Sequence, residues 1–230
     1  MNLDNAKILG LSPKNITSDK AREFISGKEY VLINTSNDND RYANYKDNEH
    51  HFTTKFHRRI IIPALSELLG FDFNAGGYHI VSNTVRTKSG NFDLSYYAPN
   101  DNGYKFDVTA PEYGIHYNSE FRGLMFNEKH KDSIVGTGLL TSYHKLYAFP
   151  HSCSIVKNLY MHNGRTLLIS GDSQAIPFIP VLCTIFKEVW YFDNRSNKLF
   201  KDMLENANFT DILIEIWNND IEYYTVKNLK

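Results

Sequence analysis

Cysteine is scarce. Only Cys153 and Cys183 occur in 230 residues, too few for the disulfide framework that staples a small secreted fold. Both are expected to be reduced and buried, with a single bridge between them as the other arrangement. No Cys-x-x-Cys spacing is present, which argues against a structural metal site. Charge of one sign is lacking too: the formal net charge is -1, so no overall basic field draws in nucleic acid. No apolar run reaches the roughly 18 residues of a membrane-spanning helix. The opening residues, Met1-Asn2-Leu3-Asp4-Asn5-Ala6-Lys7, lack the basic-then-apolar order of a signal peptide. The reading is therefore a cytoplasmic protein, or a periplasmic one if a leader has been removed. Repeats and low-complexity linkers are missing as well, and the length suits one α/β domain over residues 1–230.

Aromatic residues are plentiful, with 15 Tyr and 15 Phe. Most are expected as core material. Tyr and Trp also line carbohydrate sites, where a ring takes the C–H face of a sugar and polar tips take its hydroxyls. The most polar stretch, 34–48, reads as a surface loop. Ser18-Asp19-Lys20 can cap a short helix that Gly27 ends. Tyr30-Val31-Leu32-Ile33 is a strand candidate. From Thr53 to Leu69, Phe56, Ile60, Ala64 and Leu68 recur every four residues and Gly70 follows, which predicts a helix with a kink or break at Pro63. Residues 72–165 show turn signals at Gly76-Gly77, Ser89-Gly90-Asn91 and Asn100-Asp101-Asn102-Gly103 but little clear periodicity.

The last third is clearer. Thr166-Leu167-Leu168-Ile169 reads as a buried strand, and Ala175–Phe186 as a helix that starts late or bends because of Pro177 and Pro180. Val189-Trp190-Tyr191-Phe192 is a second strand, 197–206 a polar helix, and Asp211-Ile212-Leu213-Ile214-Glu215-Ile216 a third strand. This alternation implies right-handed crossovers and a parallel sheet, whose functional groups gather at the carboxyl ends of the strands.

Ser170-Gly171-Asp172-Ser173 ends the first of those strands. A serine between a buried strand and a helix is exposed by a sharp turn, with backbone N–H groups of the helix start directed toward it. Such donors stabilise the negative oxygen of a tetrahedral intermediate. Gly171 is expected to permit a backbone shape that a Cβ would hinder. Gly-Asp-Ser also occurs as an ordinary helix-capping turn; its position after an apolar strand favours a nucleophile.

A serine nucleophile needs a base. None of the nine histidines follows Ser173, so a histidine base must come from upstream. The densest candidate is Tyr45-Lys46-Asp47-Asn48-Glu49-His50-His51-Phe52-Thr53. A carboxylate two residues before a histidine can accept its Nδ1–H and leave Nε2 as the base. The bland alternative is a solvated loop with a helix cap. Adjacent histidines point in different directions and seldom chelate one ion, so no metal is expected there.

Together these two segments resemble the SGNH-type polysaccharide O-acetyltransferases of the alginate-acetylation kind, often called DHHW proteins. In that family a segment like Asp-x-His-Trp-Thr precedes a helix well upstream of a Gly-Asp-Ser turn. Glu49-His50-His51-Phe52-Thr53 matches the first motif and Thr166–Ser173 the second. Phe186-Lys187-Glu188-Val189, Asp193-Asn194-Arg195 and Asp211-Ile212-Leu213-Ile214 follow in the family's order. Gly90-Asn91-Phe92-Asp93-Leu94 is similar to a Gly-Asp-Leu segment between them. The departures are Glu49 for aspartate and Phe52 for tryptophan, and Asp47 with His50 is the competing acid–base pair. The resemblance implies a three-layer α/β/α fold with a mostly parallel central sheet. It implies an acetyl-serine on Ser173, with His51 as base and Glu49 orienting it. The Ser173 N–H would be one oxyanion donor, and Gly171, Asn91 and Arg195 are candidates for oxyanion or substrate contacts. Arg195 also reads as a structural ion pair. No bound cofactor is implied; an acetyl donor, acetyl-CoA among the candidates, would be co-substrate. The acceptor would be a bacterial cell-surface polysaccharide or oligosaccharide, and envelope polysaccharide-assembly proteins are the implied partners. An esterase of the same fold and a non-catalytic carbohydrate-binding relative are the alternatives.

Overall fold

The computed structural model describes residues 4–12, 23, 25–34, 56–72, 78–87, 90–99, 105–110, 115–120, 153–159, 164–172, 174–175, 179–193 and 207–217. Ten strands appear among them: β1 (Lys7–Ser12), β2 (Tyr30–Asn34), β3 (Tyr78–Thr87), β4 (Gly90–Pro99), β5 (Lys105–Ala110), β6 (Ile115–Glu120), β7 (Cys153–Asn158), β8 (Thr166–Gly171), β9 (Glu188–Asp193) and β10 (Asp211–Trp217). Helix α1 spans Ile62–Leu69 and α2 spans Ile179–Cys183. Eight strands form one sheet in the order β2-β1-β10-β8-β9-β7-β5-β6. β2, β1, β10, β8 and β9 run parallel, and β7, β5 and β6 add antiparallel pairings at one side. β3 and β4 pair antiparallel as a separate two-stranded sheet, with Thr87 opposite Gly90.

The expected α/β fold with a mostly parallel central sheet is what the chain adopts. β8 lies between β10 and β9, and its apolar run is buried on both faces, Leu167 and Ile169 in the main core and Leu168 with Phe192 on the other side. That position explains the unbroken Leu167-Leu168-Ile169 sequence, since parallel strands covered on both sides need no polar alternation. Residues of odd number on β1, β8, β9 and β10, among them Leu9, Leu11, Leu167, Ile169, Val189, Tyr191 and Leu213, pack with α1 and α2 into the main core. The even-numbered face is covered in two smaller groups, Ile8, Ile214 and Ile216 with Ile25, and Leu168 and Phe192 with Trp190 and Phe209.

Pro63 does not break the helix as a mid-helix proline would. A π-helical turn, His57–Ile61, runs into α1, and the Ile62 N–H donates to the His57 carbonyl. Pro63 follows within the first turn of α1, so the helix changes type, rather than ending, where the proline cannot donate to the ladder. Gly70 ends α1 in the left-handed conformation at φ 65°, as glycine does at this position.

The carboxyl end of α1 is fastened to the amino ends of two parallel strands. Lys7 Nζ donates to the Leu68 carbonyl at 2.6 Å, and Arg165 Nη2 to the Leu69 carbonyl at 2.7 Å. Both cations sit where the helix dipole is negative and carbonyls lack intrahelical partners. α1 packs on β1 and β2, and Phe56 joins the same main core. No helix among the described residues is long and apolar enough to cross a membrane.

Candidate functional site

The site is built at the carboxyl end of β8. Gly171 is the last residue of that strand and is buried. It does not use the positive φ that glycine permits; among the described residues Gly27, Gly70 and Gly164 do. Its value is space. A Cβ there would stand 2.8 Å from Glu215 Oε2, 3.0 Å from the Ala175 Cβ and 3.1 Å from the Glu215 Cβ. The backbone-shape reading of Gly171 is thus replaced by a packing reason: the glycine makes room for a carboxylate on β10.

That carboxylate holds the turn. Glu215 is fully buried, and its Oε2 accepts the Asp172 N–H at 3.0 Å. On the other side, the buried Tyr191 donates its phenolic O–H to the Asp172 carbonyl at 3.1 Å. The Ala175 N–H donates to the same carbonyl at 3.1 Å, closing a four-residue turn from Asp172 to Ala175. The Gln174 N–H donates to Asp172 Oδ1 at 2.7 Å, an Asx turn in which the side chain replaces a backbone acceptor. Gln174 and Ala175 are fully buried. Asp172 is therefore held by both of its backbone polar groups and by its side chain.

The helix expected within Ala175–Phe186, starting late or bent, is present as α2 at Ile179–Cys183. The hydrogen-bonded turn, rather than a helix terminus, is the feature next to residue 173.

Ser173, His50, His51, Glu49, Asp47 and Arg195 lie outside the described residues. Asn91 lies on β4 opposite Arg86 in the β3–β4 pair, and only its backbone is described. Cys183, in α2, is buried and forms no disulfide. Burial pushes its thiol well above the ordinary value, so it does not compete as a thiolate nucleophile at neutral pH. Among the described residues no three His, Cys, Asp or Glu side chains group as a metal site.

Glu215 and Tyr191 were missed as site residues. A signal existed for Glu215: it is the one ionisable group inside Ile212-Leu213-Ile214-Glu215-Ile216, in a strand expected to be buried, near its carboxyl end. Tyr191 offered none, because it reads as one more aromatic in an apolar strand.

The fold is similar to that of Bacillus cereus PatB1. The match has a TM-score of 0.62 at 12% identity and covers 99% of this chain and 86% of the other. A structure of PatB1 with a sulfonyl adduct matches with a TM-score of 0.59 at 14% identity, over 94% of this chain and 82% of that one. A DHHW family protein from Eubacterium siraeum gives 0.58 at 14% identity, covering 94% and 79%. At these identities the likeness establishes the fold. No protein-family model matches the chain, and no curated protein matches it by sequence.

Proposed function

We propose that the protein is a serine-dependent O-acetyltransferase that passes an acetyl group through Ser173 to a hydroxyl of a bacterial cell-surface polysaccharide. The observation that carries this reading is the hydrogen-bonded turn at the end of β8, where Glu215, Tyr191, Gln174 and Ala175 together hold the residue that precedes Ser173. A trans peptide points its N–H opposite to its C=O. Holding the Asp172 carbonyl therefore sets the direction of the next N–H, the one assigned to the oxyanion. Donors fixed before the reaction need no reorganisation when charge develops.

The neighbours add weight, since sulfonyl electrophiles form adducts with nucleophilic side chains and one neighbour carries such an adduct.

In this reading His51 Nε2 takes the proton of Ser173 Oγ as the oxygen bonds to the donor's acetyl carbon. The tetrahedral intermediate collapses to acetyl-serine, and the donor's leaving group departs with the proton that His51 returns. A sugar hydroxyl then attacks the ester carbonyl and gives its proton to His51. Collapse transfers the acetyl group to the sugar, and Ser173 Oγ recovers its proton. Glu49 orients His51 and offsets the charge of its imidazolium. The test is NMR of oligosaccharides incubated with enzyme and p-nitrophenyl acetate or acetyl-CoA. New O-acetyl sugar signals, absent with Ser173→Ala, are expected. Free acetate with no sugar ester would make the protein an esterase, and neither product would refute acyl transfer.

A further inference from the structure

We infer that Glu215 is a positioning residue for the nucleophile turn, acting as a hydrogen-bond acceptor of fixed reach and not as a source of charge. The inference rests on the acyl-transfer reading for its catalytic consequence, but its structural half stands apart from it. Two features that are unfavourable in a core strand meet at one point. Glu215 places a carboxyl group at full burial, between the apolar Leu9 of β1, its register partner, and the end of β8. Burying such a group is costly unless it is hydrogen-bonded. Gly171, beside it at the buried end of β8, gives up a side chain that could pack there. Packing alone would be served by an apolar side chain at 215, while glycine at 171 leaves room both for the carboxylate and for the Cβ atoms of Glu215 and Ala175. What the pair provides is the 3.0 Å bond from the Asp172 N–H to Glu215 Oε2, and a Cβ on residue 171 would stand 2.8 Å from that same oxygen. Tyr191 holds the carbonyl of the same residue, so the two side chains clamp Asp172 from β10 and β9.

An acceptor role and a charge role separate in two substitutions. Glu215→Gln keeps length and an Oε acceptor while losing charge; Glu215→Asp keeps charge but withdraws the carboxylate by one methylene. Each purified, folded variant would be compared with the wild type in two measurements: kcat and KM for p-nitrophenyl acetate, and hydrogen exchange of the Asp172 amide by NMR. Glu215→Gln is expected to stay within about threefold of the wild type in both. Glu215→Asp should lose about ten- to a hundredfold in kcat at little-changed KM, and about tenfold or more in amide protection, as expected for a lost buried hydrogen bond. A Glu215→Asp enzyme equal to the wild type alongside a damaged Glu215→Gln would overturn the proposal, as would full Asp172 protection in Glu215→Asp. If the wild type turns over no ester, the acyl-transfer reading fails while the exchange data still decide whether Glu215 anchors the turn.

Discussion

The two ends of β8 are fastened by different chemistry. At the amino end, the partly exposed Arg165 bridges Asp211 through two contacts of 2.7 and 3.1 Å, caps α1 at the Leu69 carbonyl, and lies 4.7 Å over the Phe186 ring. Thr166 and Thr210 exchange backbone and hydroxyl hydrogen bonds at an exposed position. These contacts tie a helix end, two strand starts and a loop together. At the carboxyl end, the groups are buried and converge on one residue, Asp172, through Glu215, Tyr191 and Gln174. The first arrangement distributes its bonds over the scaffold. The second concentrates them beside the place where a reacting oxygen would sit. In open parallel sheets the carboxyl ends are where ligands bind, and under the proposed function the contrast gives that rule a local cause: one end ties the scaffold together, the other holds a single residue.

Substitutions at the two ends should therefore separate stability from rate. The largest effect belongs to Ser173→Ala, which should lower acetyl-ester turnover by about a thousandfold or more, as loss of a nucleophile does, with an unchanged melting temperature. His51→Ala should match it in turnover, whereas an equal loss in His50→Ala but not His51→Ala would transfer the base to the Asp47–His50 pair. Next comes Arg165→Leu, which removes charge-assisted bonds and the helix cap; denaturant unfolding should show a loss of about 2–3 kcal/mol with kcat per folded molecule retained. Tyr191→Phe should show the reverse pattern, losing several-fold in kcat for a stability cost of about 1 kcal/mol. The smallest effect is that of Lys7→Met, whose bonds to Leu68 and to the exposed Glu29 should contribute only about 0.5–1 kcal/mol and nothing to rate. An Arg165→Leu protein that is stable but inactive would erase the distinction between the ends.

Much of the fold was legible because its central strands advertise themselves. β8, β9 and β10 are apolar runs spaced by helix-length segments, and Gly70 marks the end of α1 without ambiguity. β1 was not read: Lys7-Ile8-Leu9-Gly10-Leu11-Ser12 is short and interrupted by a glycine, and only its pairing with β10 and β2 makes it a strand. Strands β3 to β7 were hidden for a different reason. Antiparallel strands such as Gly90–Pro99 mix Asn91, Asp93 and Ser95 with aromatic residues, and their partners, not their composition, define them. At the site, Gly171-Asp172 was found from its place after an apolar strand, but the reason given for the glycine was local backbone shape. The actual reason, room for Glu215, is a contact over 44 positions that one strand's sequence does not contain.

The most direct measurement is intact-protein and peptide mass spectrometry after treating the native protein with a fluorophosphonate or a sulfonyl fluoride. A single stoichiometric adduct on Ser173, absent in Ser173→Ala and slowed in His51→Ala, is the predicted result. A folded wild-type protein that takes up no adduct, or one that takes it up at another residue and equally well in Ser173→Ala, would contradict a nucleophile at the end of β8.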